Sequence, residues 1–127
     1  MYLALYEKLL QLEREMPMSF APPAAAEDLA AFRQRFPQAP TALYELWAIS
    51  DGVEINIPGT VLYGVKEALA APAPGDWVPL GHMSFGDPLY LDPNGQVLQI
   101  DHEDGSLFLT WPCLLDFLED EREEAGQ

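Results

Sequence analysis

The chain has 127 residues, of which 21 are acidic and 6 are basic, and its formal net charge at pH 7 is -15. A charge of this sign and size repels nucleic acids and anionic membranes and attracts basic proteins. Hydrophobic residues make up 49% of the chain and aromatic residues 11%, which excludes a disordered acidic polypeptide. We therefore predict one folded domain over residues 1–127 that binds neither nucleic acid nor membrane.

The compartment is predicted from the cysteine content and from the first residues. Cys113 is the single cysteine, so no internal disulfide can form, which is typical of a reducing compartment. Glu7 and Lys8 interrupt a short apolar run, and the start of the chain has neither a basic segment nor a small-residue cleavage site. No uncharged run approaches the length of a membrane span. These features predict a soluble, cytoplasmic protein.

The first half of the chain has the spacing of amphipathic helices. Apolar residues recur at steps of three and four over residues 2–16, which predicts a leading helix, and the proline-containing stretch after it is interpreted as a linker. A second helix is predicted to start near Ala24. A third is predicted to begin at Pro40, where a missing N–H costs nothing, and to end before Gly52, which can adopt a left-handed terminating conformation.

Downstream of this glycine the pattern changes to the alternation that is typical of half-buried strands. Strands are predicted over residues 53–57 and 60–64, and one or two helical turns over residues 65–71. The strongest signal lies between residues 77 and 101, where two apolar runs flank an Asp-Pro-Asn-Gly turn at 92–95. This stretch predicts a strand followed by a β-hairpin.

The faces of the hairpin are predicted from the same alternation. We expect the pairing to bury four aliphatic side chains together: Leu89, Leu91, Leu98 and Ile100. The opposite face would then carry Tyr90, Val97 and Gln99. Residues 106–110 can add a third antiparallel strand after a turn.

The last element is predicted to be a helix opened by Pro112. Its acidic C-terminal tail, residues 119–127, is expected to fray. Helices first, then a run of strands, then a closing helix indicate an α+β domain. We therefore predict a mainly antiparallel sheet flanked by helices that pack on one of its faces.

Groups that could carry catalysis or bind a metal are sparse. His82 is predicted in a loop and His102 in a turn, and each would need a nearby carboxylate to act as a general base. Residues 101–104, Asp-His-Glu-Asp, could offer ligands to a hard cation, but the spacing favours a solvated turn. Cys113 has apolar neighbours and is predicted to be a buried core residue rather than a nucleophile. We expect no catalysis, no metal site and no cofactor.

Four aromatic residues lie near the central loop of the predicted sheet: Tyr63, Trp77, Phe85 and Tyr90. They could form an exposed binding patch, or they could seal the core beneath the loops. The second interpretation is favoured, because aromatic side chains in loops most often cover a core.

Several short motifs follow one another in a fixed order over residues 22–118. The segments are PTALYELWAISDG, VLYG, WVPLG from Trp77, Gly86-Asp87, Leu91-Asp92, GQVLQIDHE, and a final helix with Cys113, Leu114, Phe117 and Leu118. Their order and spacing resemble the SUKH superfamily, the Smi-Knr-type proteins. That family often has Leu-Pro before the middle helix and Asn-Gly after it, where this chain has Ala39-Pro40 and Asp51-Gly52.

The resemblance implies an α+β fold, no catalysis and a protein-binding role, because many bacterial members of the family are similar to antidotes that block a toxin domain, often a nuclease. The net charge agrees with this, since nucleases have basic clefts. We therefore expect a basic toxin domain as partner and a chain that is monomeric or weakly dimeric. The alternatives are a scaffold or regulatory module that binds a non-toxin cellular protein, and a small-ligand-binding domain or hydrolase that uses His82 and Asp87.

The partner-binding residues are predicted among acidic and aromatic groups near the central loop: Asp76, Trp77, Asp87, Asp92, Asp101, Glu103 and Asp104. From Asp101 onward the chain has 9 acids and 1 base, so this last fifth carries more than half of the net charge. Such a concentration of charge is also typical of a solubilising surface. Both interpretations are consistent with the sequence.

Overall fold

A computed structural model of the protein describes residues 2–15, 18–55, 59–73 and 75–125. Within these ranges the chain forms five helices and seven strands, in the order α1 (Tyr2–Glu15), β1 (Met18–Phe20), α2 (Ala26–Arg35), α3 (Thr41–Ile49), β2 (Val53–Ile55), β3 (Thr60–Leu62), α4 (Val65–Ala70), β4 (Val78–His82), β5 (Pro88–Leu91), β6 (Val97–Ile100), β7 (Leu107–Trp111) and α5 (Leu114–Ala125). Among the described residues, no helix is long and apolar enough to cross a membrane.

The seven strands form one sheet in which each strand pairs with the next along the chain, from β1 to β7, and every pair is antiparallel. This confirms the predicted α+β class. Because the chain reverses at each strand, successive connections lie at opposite ends of the sheet. The β4–β5 loop, residues 83–87, and the β6–β7 turn, residues 101–106, therefore lie at one end, and the β5–β6 turn, residues 92–96, lies at the other.

The helices cover one face of the sheet. Along β2, Val53 and Ile55 are buried and Glu54 between them is exposed, and along β5 the two leucines are buried while Tyr90 is half-buried. Such alternation is expected when one face packs on helices and the other does not. In α1, Leu5, Leu9 and Leu12 recur at helical spacing and are at most 2% exposed, so the leading helix belongs to the same core.

The centre of this core is Trp47 of α3. Its ring packs edge-on against Phe32 of α2, with the ring centroids 4.7 Å apart. Its indole N–H donates to the carbonyl oxygen of Tyr63 at 2.9 Å, so the only polar atom of a fully buried side chain is satisfied. This bond joins the helical layer to the segment between β3 and α4.

The stretch after α1 and the start of the second helix differ from the predictions. The stretch after α1 is not only a linker, because it contains β1, whose Met18 and Phe20 lie opposite Ile55 and Val53 of β2. The second helix begins at Ala26 rather than near Ala24, since residue 25 is extended and the Ala24 N–H donates to the carbonyl oxygen of Trp47 at 2.9 Å. Residues 1, 16, 17, 56–58, 74, 126 and 127 lie outside the described part, and with them the predicted ends of the leading helix, of the 53–57 strand and of the acidic tail.

The C-terminal acidic segment belongs to α5 up to residue 125. Glu119 forms an ion pair with Lys8 of α1, and Asp120 accepts the indole N–H of Trp111. Glu121 is only 2% exposed and accepts a hydrogen bond from the hydroxyl of Thr60. Three consecutive acids are thus held by partners from three other elements, which a sequence pattern cannot indicate.

Candidate functional site

The seven residues predicted to bind a partner are divided between the two ends of the sheet. Four of them lie in the β4–β5 loop and the β6–β7 turn, at the same end: Asp87, Asp101, Glu103 and Asp104. The other three lie at the opposite end, before β4 or after β5: Asp76, Trp77 and Asp92. We call residues 83–87 and 101–106 together the acidic end. The structure therefore brings four of the predicted residues together and separates the other three from them.

Asp87 fastens the two segments of the acidic end to each other. It is 5% exposed, and its Oδ2 accepts a hydrogen bond from Nε2 of Gln99 at 2.8 Å. Its Oδ1 accepts two bonds from His102, from the backbone N–H at 3.0 Å and from Nδ1 at 2.6 Å. The residue predicted to meet a partner is thus a buried connection that holds the exposed residues in place.

Gln99 was not predicted to be buried, and the reason is the strand register. Leu89 lies opposite Gln99 and Leu91 opposite Val97, so these four residues share the covered face of the sheet. The predicted grouping of Leu89 and Leu91 with Leu98 and Ile100 is wrong. It would require a β5–β6 loop one residue longer or shorter, because a shift of one residue exchanges the two faces of a strand. The amide of Gln99, 2% exposed, is therefore directed into the core beside Asp87.

The outer part of the acidic end is a turn shaped by its own carboxylates. Asp101 accepts the backbone N–H of Glu103 at 2.7 Å, and Asp104 accepts the backbone N–H and the hydroxyl of Ser106 at 2.9 and 2.6 Å. The bond from the Ser106 hydroxyl is the main reason why the pKa of Asp104 lies below its ordinary value. Both Glu103 and Asp104 are exposed, so their charges face solvent on a backbone that is already ordered.

The charge states of Asp87 and His102 reinforce each other. Burial alone would raise the pKa of Asp87, but the hydrogen bonds from His102 and Gln99 together outweigh it and hold that pKa below the ordinary value of 3.8. The same hydrogen bond to Asp87 raises the pKa of His102 above its ordinary value of 6.5, and the nearby carboxylates of Glu103 and Asp101 add to the effect. A charged pair therefore links the β4–β5 loop to the β6–β7 turn.

The pH dependence of stability follows from these two directions. Since the pKa of folded His102 is raised, the contribution of His102 to the stability of the fold is complete below pH 6.5. It is lost as the pH rises through the raised pKa. Since the pKa of folded Asp87 is lowered, its contribution is present above 3.8 and is lost as the pH falls through the lowered pKa. We expect the Asp87–His102 pair to stabilise the fold most between pH 3.8 and pH 6.5.

An NMR titration of the His102 ring measures this directly. The wild-type pKa is expected to lie above 6.5 and to fall towards that value in Asp87→Asn, where the carboxylate is replaced by a neutral amide. An unchanged His102 pKa in the variant would mean that the carboxylate does not hold the imidazolium.

The histidines differ from their predicted surroundings. His102 has a partner carboxylate, Asp87, that the sequence did not place beside it. His82 lies at the end of β4 rather than in a loop, and its Nδ1 is 3.2 Å from the hydroxyl of Tyr63. The hydrolase alternative pairs Asp87 with His82. In the structure Asp87 contacts His102 instead. The nearby hydroxyl of Ser106 donates to Asp104 rather than to His102.

Among the described residues, Asp87, Asp101 and His102 offer ligand atoms within 4.8 Å of one another and are the group that could hold a metal ion. The Asp87 oxygens already accept three hydrogen bonds from Gln99 and His102. Nδ1 of His102 and Oδ1 of Asp87 are occupied by their mutual bond, so a cation could bind both of these atoms only by replacing it. The geometry thus favours the ion pair over a metal centre.

Of the three predicted residues at the opposite end, Asp92 and Trp77 have local contacts. Asp92 accepts the backbone N–H groups of Asn94 and Gln96 at 3.0 and 2.9 Å, so it shapes the hairpin turn. The ring centroid of Trp77 lies 5.7 Å from that of Tyr90 on the uncovered face of the sheet. Asp76 is exposed.

The aromatic residues near the central loop do not behave as one group. Tyr63, Trp77 and Tyr90 are half-buried, and burial raises the pKa of both tyrosines. Phe85 is 57% exposed, in the β4–β5 loop of the acidic end. The interpretation that these residues seal the core therefore fits Tyr63, which packs against the core, whereas Trp77 and Tyr90 pack against each other on the uncovered face and Phe85 is exposed. Cys113, predicted to be buried, is half-buried at the start of α5.

A second acidic surface lies beside β1, β2 and β3. It is an open groove of about 310 Å³ whose lining includes Asp51, Glu54 and Glu67. Asp51 accepts the backbone N–H of Val65 at 2.8 Å and Glu67 accepts that of Gly64 at 3.1 Å. These two carboxylates thus satisfy the first N–H groups of α4, as side chains at helix starts commonly do.

The charge of the chain is distributed unevenly over the fold. From Glu67 to Glu121 the sequence contains 11 acids and neither Lys nor Arg. Three of the bases elsewhere in the chain interact with helical residues: Lys8 pairs with Glu119, Arg33 lies 4.5 Å from the ring centroid of Tyr44, and Arg35 lies 4.6 Å from that of Phe36. The strands β4 to β7 and their loops are therefore negative, with neither Lys nor Arg among them.

Comparisons with known proteins do not extend this description. A scan of the sequence against models of protein families found no match, and a search of curated proteins found none either.

Proposed function

We propose that the protein is a non-catalytic binding domain whose acidic end engages a basic protein. The observation that carries this proposal is the juxtaposition of exposed Glu103 and Asp104 with exposed Phe85 and Phe108, the last in the adjoining strand β7. Aromatic anchors surrounded by charged groups are typical of protein interfaces, where the aromatic side chains supply most of the affinity and the charges supply rate and specificity.

The hydrogen-bonded polar side chains behind this surface support the same proposal. The side chains of Gln99, Asp87 and His102 hold the β4–β5 loop against the β6–β7 turn. A surface that is ordered before binding loses less conformational entropy when the complex forms. The acidic end therefore combines charge, exposed apolar area and a fixed backbone.

The resemblance to the SUKH superfamily gives the proposal its more specific form. In that form the protein is an immunity protein, and its partner is a basic toxin domain such as a nuclease. A domain of net charge -15 would be steered to a basic cleft and would compete there with the nucleic acid substrate. A scaffold or regulatory module that binds a non-toxin protein would use the same surface.

A comparison of two charge-neutralised variants in a pull-down from the native host tests the proposal. Glu103→Gln with Asp104→Asn removes two exposed charges at the acidic end, whereas Glu7→Gln with Glu27→Gln removes two exposed charges on α1 and α2. We expect the first variant to retain about tenfold less of a basic partner than wild type, and the second to retain it fully. Raising the salt from about 50 to about 200 mM should reduce retention by wild type.

The identity of the retained protein separates the two forms of the proposal. A basic protein that is toxic when expressed alone, and harmless when co-expressed with this chain, would support the immunity role. A basic but harmless cellular protein would contradict immunity and support the regulatory role. If both variants retain partners equally, the acidic end is not the binding surface.

A further inference from the structure

Strand β7 forms one edge of the sheet and is open to a further strand. In the described part of the chain the sheet ends at β1 on one side and at β7 on the other, and β7 pairs only with β6. β1 has three residues and β7 has five. Residues 102–110, which lead into β7 and include most of it, are all exposed.

Strand β7 has neither a charged residue nor a proline to prevent strand addition, and of the features that protect edge strands it has the bulge at Phe108. Natural edge strands commonly contain lysine or proline, or are very short. β7 reads Leu-Phe-Leu-Thr-Trp and contains no charged residue or proline, and its first three side chains, Leu107, Phe108 and Leu109, are 55%, 58% and 47% exposed. The register between β6 and β7 shifts by one residue, so that Phe108 has no residue opposite it in β6 and forms a bulge.

The charges beside β7 indicate what kind of strand would fit. The strand begins after Glu103 and Asp104 and is followed by α5, on which Asp116 and Asp120 are exposed. A second copy of the chain would bring the same excess of acids and a charge of -15 against this edge. The charge pattern therefore disfavours self-pairing and favours an extended segment with apolar residues in its centre and Lys or Arg at its ends.

We propose that β7 binds an extended, basic-flanked segment of a partner protein by strand addition, which extends the sheet by one strand. Backbone hydrogen bonds to the free edge would supply affinity, and Leu107, Phe108 and Leu109 would contact alternate side chains of the segment. The proposal rests on the proposed function, since it assigns to the basic partner the segment that lies next to the acidic end.

The test uses synthetic peptides as probes and follows the backbone amides of the full chain by two-dimensional NMR. The first probe is an end-capped eight-residue peptide that alternates valine with lysine. The second replaces lysine with glutamate. The third carries an N-methyl group on every valine, which removes the N–H groups along one edge of the peptide strand. We expect the first peptide to shift the amides of residues 107–111 with a dissociation constant of about 0.1 mM, and the other two to bind at least about tenfold more weakly.

Three results would overturn the proposal: no shift in residues 107–111 at about 1 mM of the first peptide, equal binding of the N-methylated peptide, or equal binding of the glutamate peptide. Concentration-dependent dimerisation through the same residues, without any peptide, would assign the edge to a second copy and also overturn it.

The variant Leu107→Lys separates this proposal from the proposed function, because it places a charge on the edge of β7 and leaves Phe85 and Phe108 unchanged. The Leu107 side chain is 55% exposed, so the variant is expected to keep the wild-type melting temperature and to lose the valine–lysine peptide. If the same variant still captures the basic partner from the host while Glu103→Gln with Asp104→Asn does not, the acidic end binds that partner without strand addition.

Discussion

Replacing Asp87 with alanine is expected to lower the free energy of unfolding by about 2–4 kcal/mol, because it removes the acceptor for three hydrogen bonds at a buried position. The Nε2 group of Gln99, in a side chain that is 2% exposed, would lose its partner and could not reach water without a rearrangement. A donor left unsatisfied in this way costs more than the hydrogen bond contributed. His102 would also lose the carboxylate that favours its charged form.

Urea denaturation of three variants distinguishes this cause from a general effect of removing an acid. Asp76→Ala deletes an exposed carboxylate of the same size and is expected to change stability by less than about 0.5 kcal/mol. Adding Gln99→Leu to Asp87→Ala should recover part of the loss, since it removes the unsatisfied amide. If Asp87→Ala is no more destabilising than Asp76→Ala, the bonds of Asp87 do not hold the acidic end together.

The substitution Gly81→Ala is expected to destabilise the fold by about 3 kcal/mol, because the added methyl group has no space. A Cβ at residue 81 would lie 1.9 Å from the carbonyl oxygen of Val61 and 3.0 Å from Cα of Leu62, both in the backbone of the paired strand β3. Backbone atoms cannot rotate away as a side chain can, so β3 and β4 would have to separate. The bulge between Pro79 and Gly81 lies at the same place.

Gly75→Ala is the matched control for this effect. Gly75 has a φ of +58°, but a Cβ there would meet nothing within 4 Å. The only expected cost is that of placing alanine in the left-handed backbone conformation, which is about 1 kcal/mol. Thermal and urea unfolding of the two variants measure the difference, and equal losses of stability would contradict the close approach of β3 to β4.

Much of the fold could be predicted from the sequence, because its strongest signals are local. The periodicity of residues 2–16 indicated α1, and the Pro-Asn-Gly turn indicated the β5–β6 hairpin. The register of that hairpin was not predictable from alternation, since the apolar pattern Val97-Leu98-Gln99-Ile100 fits either face. It is set by a loop over residues 92–96, closed by a bond from the Asp92 N–H to the carbonyl oxygen of Gln96 at 3.1 Å.

The acidic end was predictable only in part. A chain of antiparallel strands in sequence order brings every second connection to the same end of a sheet, which places Asp87 near Asp101, Glu103 and Asp104. Their different roles depend on side-chain contacts that no spacing indicates. Asp87 is buried against Gln99, whereas Glu103 two residues after Asp101 faces solvent. The exposure of Phe85 and Phe108 beside them likewise depends on the tertiary fold.

The most direct test of the proposed function is a calorimetric titration of the purified basic partner into wild type and into the Glu103→Gln, Asp104→Asn variant at two salt concentrations. We predict that the variant binds about tenfold more weakly and that its affinity depends less on salt than that of wild type. Equal affinities with equal salt dependence would contradict the assignment of the acidic end as the binding surface.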